Sequence, residues 1–168
     1  MIDTNEIQLG RLLSESGLTI SVAESFTGGM IGHVITNAPG SSRYFQGGVI
    51  AYADEVKMEL LGVSEQTLID HGAVSKETVL EMARGVRAAL NTDIGISSSG
   101  IAGPDGGSVE KPIGLAWIGL SASQKEYAEQ FLFPGDRLQI KEQGVQTAIL
   151  RVIDFLAKLS QSESLIET

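Results

Sequence analysis

The chain is predicted to be an α/β protein, a three-layer α/β/α sandwich around a mixed, mostly parallel sheet. Segments with strand-like alternation are interleaved with segments whose apolar residues recur every three to four positions. One run, Ile113 to Leu120, is almost continuously apolar, as a strand covered on both faces requires. The length of 168 residues, without internal repeats, low-complexity blocks or a dividing linker, predicts one domain over 1–168 with enough chain to bury a core unaided.

The elements follow in order. Asp3 and Glu6 form a capping-box pattern, and Ile7, Leu9, Leu12 and Leu13 recur at helical spacing up to Gly17, which predicts a helix over about 3–16. Leu18, Ile20 and Val22 alternate as a strand that runs into Ser25, Gly28 and Gly29, and then into a helix marked by Met30, Ile31, Val34 and Ile35. Gly47 to Tyr52 reads as a second strand, and Glu55 to Leu61 as a short helix ended by Gly62. Ser64 and Ser75 are N-cap candidates, the second opening a helix that buries Val79, Met82, Ala83, Val86 and Leu90. Thr92 to Ser99 is a third strand, Gly100 to Lys111 a glycine-rich loop, and Glu126 to Phe133 a hairpin partner of the apolar strand. Pro134 and Gly135 turn the chain into a long helix with Val145, Ile149, Val152, Leu156 and Leu159 inward, and residues 160–168 read as a frayed polar tail.

Composition narrows the function classes. The absence of cysteine rules out disulfides, thiolate zinc sites and a cysteine nucleophile, and fits a reducing compartment, so a cytoplasmic location is expected. Asp3, Glu6, Arg11 and Glu15 interrupt the apolar positions of residues 1–17, and no run approaches the roughly 20 apolar residues of a membrane span. Neither a signal peptide nor a membrane partner is expected. A net charge of −9 repels phosphate backbones, which disfavours nucleic acid as a partner.

The chemistry-bearing residues cluster at strand ends. Ser25, delivered by an apolar strand to the start of a helix, suits either an acyl-transfer nucleophile or a phosphate cradle, and a plain helix N-cap is the simplest alternative for Ser25 or Thr27. A nucleophile needs a base. His33 lies six residues beyond Thr27, roughly 9 Å up the helix axis, and His71 precedes Gly72 at a helix end, where an imidazole suits the last carbonyls. Two separated histidines, and acidic residues without ligand spacing, give no metal site. Tyr52 and Lys57 remain, because parallel neighbouring strands would bring the second strand's end beside Ser25. The plain reading of Lys57 is an exposed helix lysine between Glu55 and Glu59, and that of Tyr52 a packing residue. The loop from Ser99 to Ser108, with Gly100, Gly103 and Gly106, is either a backbone nest for a phosphate or carboxylate or a flexible turn. Asp136 suits an N-cap, and Arg137 either forks onto an anion or makes a surface ion pair.

Taken together, AESFTGG at 23–29, GGVIAYADEVK at 47–57, HGAVS at 71–75, SGIAGPDGGSVEKPIGLAW at 99–117 and PGDR at 134–137 closely resemble the CinA C-terminal-domain family, over residues 5 to 158 or so. The resemblance implies the three-layer fold and nicotinamide-nucleotide amidohydrolase activity. That reaction converts nicotinamide mononucleotide and water to nicotinic acid mononucleotide and ammonia, a step of pyridine-nucleotide salvage. It also implies a stand-alone form without the larger N-terminal domain of two-domain members. Residue by residue, Ser25 matches the family nucleophile, Lys57 and Tyr52 its partners in proton handling, and Ser99 and Arg137 further site positions. On this reading the N–H groups of Thr27, Gly28 and Gly29 hold the oxyanion, while Gly100, Gly103, Gly106 and Arg137 hold the 5′-phosphate, and no metal or organic cofactor is required. Ser99 stands where the family often has threonine, which retains the hydroxyl. Phe26 stands where it usually has cysteine, which enlarges a side chain beside the site. A nucleotide-binding module without hydrolytic activity, and an amidase on a related pyridine or pteridine-like amide, are the competing readings. A homodimer is expected from a further apolar face on the flanking helices. The competence or DNA-damage role that the family name suggests has no support in so acidic a chain.

Overall fold

The computed structural model describes residues 4–164. Along the chain run α1 (Asn5–Ser16), β1 (Ile20–Glu24), α2 (Met30–Thr36), β2 (Phe45–Ile50), α3 (Asp54–Leu61), α4 (Glu65–His71), α5 (Lys76–Ala89), β3 (Ile94–Gly100), β4 (Leu115–Ala122), β5 (Glu126–Leu132) and α6 (Arg137–Ser164). The strands form one sheet in the order β2-β1-β3-β4-β5. β1 pairs in parallel with β2 and β3, whereas β4 is antiparallel to β3 and β5 antiparallel to β4, so only β4 runs against the rest. The expected mixed, mostly parallel sheet is the one observed.

Strand alternation divides the core between the two faces. Ile20 and Val22 of β1 join Leu9 and Leu13 of α1, Ile31 and Ile35 of α2, and Val145, Ile149 and Val152 of α6 in one apolar cluster. Ala23 points the other way, into a cluster with Ala51, Leu61, Met82 and Val86. The sheet therefore lies between a layer of α1, α2 and α6 and a layer of α3, α4 and α5, the three layers that the sequence predicts. All five residues of β1 are buried, which makes it a central strand and sends its C-terminal end, Glu24 and then Ser25, to an edge flanked by protein on both sides.

Helix α5 packs close on the sheet because the strands beneath it carry glycine. A Cβ at Gly95 would lie 2.1 Å from the Ala83 carbonyl oxygen, and one at Gly119 2.6 Å from that of Val79. Gly95→Ala is expected to lower the unfolding free energy by about 3 kcal/mol through this overpacking, read as a lower urea midpoint at unchanged slope. An unchanged midpoint would mean that α5 shifts outward at no cost.

Several boundaries differ from expectation. β2 ends at Ile50, so Tyr52 stands in the turn beyond the strand. Ile113 lies outside β4 and is 41 % exposed, because Gly114 turns the chain at φ +91° before the strand begins. The residue preceding α1 is Thr4, which makes no side-chain cap bond, and Asp3 of the expected capping box lies outside the described residues. Ser64 and Ser75 do cap, their hydroxyls accepting from the amides of Gln66 and Thr78. The frayed tail expected from residue 160 is corrected: α6 continues through Ser164, with no Gly or Pro to stop it and with the Ser160 hydroxyl donating to the Ala157 carbonyl. Residues 165–168 lie outside the described residues. Among the described residues no helix is long and apolar enough to cross a membrane.

Candidate active site

Parallel pairing brings two chain ends to one place. The Ala51 amide donates to the Glu24 carbonyl at 2.8 Å, so the chain leaving β1 at Ser25 and the chain leaving β2 at Tyr52 emerge side by side. On the other flank the Ser25 amide donates to the Ser98 carbonyl at 3.0 Å, which sets the turn against β3. Between these strand ends lies a half-open cleft of about 200 Å³ lined by Ser25, Tyr52, Asp54, Lys57, Ser99 and Arg137, with Phe26 and Gly100 among its other walls.

Lys57 is the least expected of these side chains. It is 1 % exposed, and its Nζ donates to the Tyr52 carbonyl at 3.1 Å and to Asp54 Oδ1 at 3.0 Å. The plain reading of an exposed helix lysine is overturned, and helix geometry gives the reason. Glu55 and Glu59 are two residues away and face elsewhere, whereas Leu61, four residues on, shares the buried face of Lys57. No hydrogen bond joins Lys57 to Ser25; both line the same cleft.

Tyr52 serves Lys57 through its main chain, not through its phenol. The side chain is 59 % exposed, and its hydroxyl accepts from Arg137 Nη2 at 3.1 Å. Arg137 also donates through Nη1 to the Gly103 carbonyl at 2.5 Å, so it bridges the β2–α3 turn and the glycine loop and does not make, among the described residues, the surface ion pair of its plainer reading. Asp136 caps α6 reciprocally, its Oδ1 accepting from the Gln139 amide while its own amide donates to Gln139 Oε1. Ser99 is buried in the wall, its hydroxyl donating to the Ala73 carbonyl at 2.7 Å. Gly100 lines the cleft and Gly103 contributes its carbonyl to Arg137, whereas Gly106 is exposed and lies outside the cleft wall.

The start of α2 also requires correction. Glu24 is 1 % exposed and turns back over the helix: its Oε2 accepts from the Thr27 hydroxyl and from the amides of Gly29 and Ile31, and its Oε1 from the amide of Gly32. The Gly28 amide donates to the Ser25 carbonyl. A phosphate cradle at this terminus is therefore overturned, because an internal carboxylate already occupies it. Gly28 and Gly29 likewise lose their assignment as oxyanion donors. Among the described residues no hydrogen bond engages the amides of Phe26 and Thr27; Phe26 lines the cleft beside Ser25, whereas Thr27 is fully buried and is not in its wall. The Phe26 ring does not fill the cleft: it is buried with Ala102, Ala116 and Ile140 and lies against Gly144 of α6.

Sequence reasoning missed three participants. Glu24 stands inside the quoted AESFTGG motif, and an acid at a strand end a few residues before a helix N-terminus is a readable signal. Asp54 precedes Lys57 by three positions on one helix, the spacing at which side chains meet. The Phe26 amide carried no signal, since any residue type supplies one. A larger cavity of about 410 Å³ between β5 and α6 is lined by no serine, threonine or cysteine. Its Arg151 is paired with Glu129 and Asp154, and burial pushes the Tyr127 hydroxyl up to about 12 while it donates to the Arg151 carbonyl.

Residues 3–156 match the model of the CinA C-terminal domain. The chain belongs to this family. A putative competence-damage inducible protein of Halothermothrix orenii is 51 % identical over 150 residues, which is 89 % of this chain and 36 % of the relative. A CinA-like protein of Amoebophilus asiaticus is 42 % identical over 96 % of this chain and 38 % of its own length. The chain thus spans somewhat over a third of the curated relatives it matches. Among solved structures, a competence-damaged protein (CinA) superfamily protein of Klebsiella pneumoniae superposes with a TM-score of 0.88 at 30 % identity, covering 92 % of this chain and 96 % of the other. A competence/damage inducible protein of Agrobacterium tumefaciens gives 0.85 at 34 % identity, over 89 % and 94 %. The fold described above is thus the CinA-superfamily fold along nearly the whole length of those chains.

Proposed function

We propose that this chain is an amidohydrolase that converts nicotinamide mononucleotide and water to nicotinic acid mononucleotide and ammonia through an acyl-enzyme on Ser25. One observation carries the reading: Ser25 from the end of β1 and the buried Lys57 from α3 line the same cleft, with the amide of Phe26, another lining residue, unengaged beside the serine. Lys57 Nζ takes the Ser25 proton while Oγ attacks the carboxamide carbon, and the Phe26 amide holds the oxyanion, such a donor contributing about 3–4 kcal/mol. The ammonium then returns that proton to the departing nitrogen and ammonia leaves. Water attacks the ester, giving its proton to Lys57 and so back to Ser25 Oγ, and the pyridine carboxylate departs.

The cleft is smaller than the roughly 300–1,000 Å³ of ordinary ligand pockets, so it suits the reacting ring, with the phosphate outside near Tyr52 and Arg137. Arg137 is the cation placed to receive it, exchanging its bonds to Gly103 and Tyr52 for the stronger charge-assisted ones of a phosphate. The binding-module reading loses its main support with Glu24 occupying the α2 terminus.

Ammonia release from nicotinamide mononucleotide by the pure protein tests the proposal. Ser25→Ala is expected to lower turnover about 10⁴-fold or more while nucleotide binding persists. Binding by both proteins with ammonia from neither would assign the cleft to binding alone.

A further inference from the structure

We propose that Asp54 is a positioning residue that, with the main-chain carbonyl of Tyr52, holds Lys57 so that its one remaining bonding direction serves Ser25. This rests on the serine–lysine reading above. An amine nitrogen carries two N–H bonds and one lone pair. When Lys57 has given up one proton, the two acceptors, Asp54 Oδ1 at 3.0 Å and the Tyr52 carbonyl at 3.1 Å, hold the two hydrogens that remain. The lone pair is what remains, and the nitrogen sits in the wall of the cleft that Ser25 also lines. Without a second acceptor the amine rotates about its terminal bond, and the lone pair spends its time away from the serine. With one, a proton moving from Ser25 Oγ enters a fixed direction, and the nascent ammonium still has both acceptors in place.

The two acceptors differ in kind. The Tyr52 carbonyl belongs to the turn beyond β2 and is set by the backbone, whereas Asp54 opens α3 and is 51 % exposed on its side chain. Asp54 can therefore be replaced without opening a core, and its effect on rate is separable from any effect on folding. The other ionisable side chains around the cleft are Tyr52 and Arg137, which bond to each other.

The test compares Asp54→Ala, which removes the acceptor, with Asp54→Asn, which keeps an oxygen at the same place. For turnover of nicotinamide mononucleotide, Asp54→Ala is expected to lower kcat about 100-fold with KM within about threefold. Asp54→Asn is expected to recover most of that loss. A second readout needs no knowledge of the substrate: the rate at which a fluorophosphonate labels Ser25, followed by mass spectrometry, should fall and recover in the same order. Thermal unfolding of both variants should stay near wild type. A kcat for Asp54→Ala within threefold of wild type, a loss confined to KM, or no recovery in Asp54→Asn would each overturn the positioning role. Failure of the wild type to be labelled at Ser25 would instead overturn the serine–lysine reading itself.

Discussion

Lys57→Met is expected to lower ammonia release from nicotinamide mononucleotide about 10³-fold or more while leaving the fold intact. A general base contributes roughly 10²–10⁴-fold, and a methionine fills the space of the lysine stem without a nitrogen to accept a proton. The fold is expected to tolerate the change because the lysine partner, Asp54, is half exposed and passes to water. The Tyr52 carbonyl is the one acceptor left behind, and a single neutral hydrogen bond is worth only about 1 kcal/mol. Lys57→Arg is the sharper companion. A guanidinium keeps the charge and the donors for Tyr52 and Asp54 but does not give up its proton, so it cannot act as a base. If Lys57 is the base, Arg is as inactive as Met in steady-state assays. If Lys57 only holds the turn together by charge, Arg retains activity. Recovery in Lys57→Arg would therefore move the proton-transfer role away from this residue.

Lys57 also shows where the sequence was legible and where it was not. The apolar periodicity of α5 and α6 and the serine caps at Ser64 and Ser75 are local signals, and they place elements to within a few residues. The meeting of Ser25 and Tyr52 follows from parallel strand ends, a topological rule applied to local elements. What a side chain does within the site depends on direction, which composition does not carry. Tyr52 reads beside Lys57 as a partner in proton handling, yet its backbone oxygen meets the lysine while its hydroxyl meets Arg137. The amides of Gly28 and Gly29 read as open donors because glycine lets the chain approach a ligand closely. They are engaged because Glu24, one residue before the nucleophile, folds back over them. In each case residue type was informative and orientation decided the role.

Glu24→Ala is the second change of large expected effect, and here the loss falls first on stability. One buried side chain accepts the Thr27 hydroxyl and the amides of Gly29, Ile31 and Gly32, at 2.7 to 3.0 Å. The Thr27 hydroxyl spends its hydrogen on Glu24, so at Ser98, 2.7 Å away, the Ser98 hydroxyl must be the donor. Removing the carboxylate leaves three helix amides and this hydroxyl chain without an acceptor. Each buried group so orphaned costs about 1–3 kcal/mol, partly relieved by water at the less buried glycines. A net loss of about 3–5 kcal/mol is expected, a large share of the 5–15 kcal/mol that holds a domain together. Glu24→Gln should cost less, since one amide oxygen still accepts, but its NH₂ group faces donors and cannot replace the second carboxylate oxygen. Urea unfolding of the three proteins gives the order wild type, Gln, Ala. Turnover should fall with stability in these variants, because the Ser25 turn is anchored through the same four bonds, whereas Ser25→Ala loses turnover alone. A Glu24→Ala midpoint equivalent to less than about 1 kcal/mol of loss would mean that water serves the α2 amides unaided, and the start of α2 would then again be available to an anion.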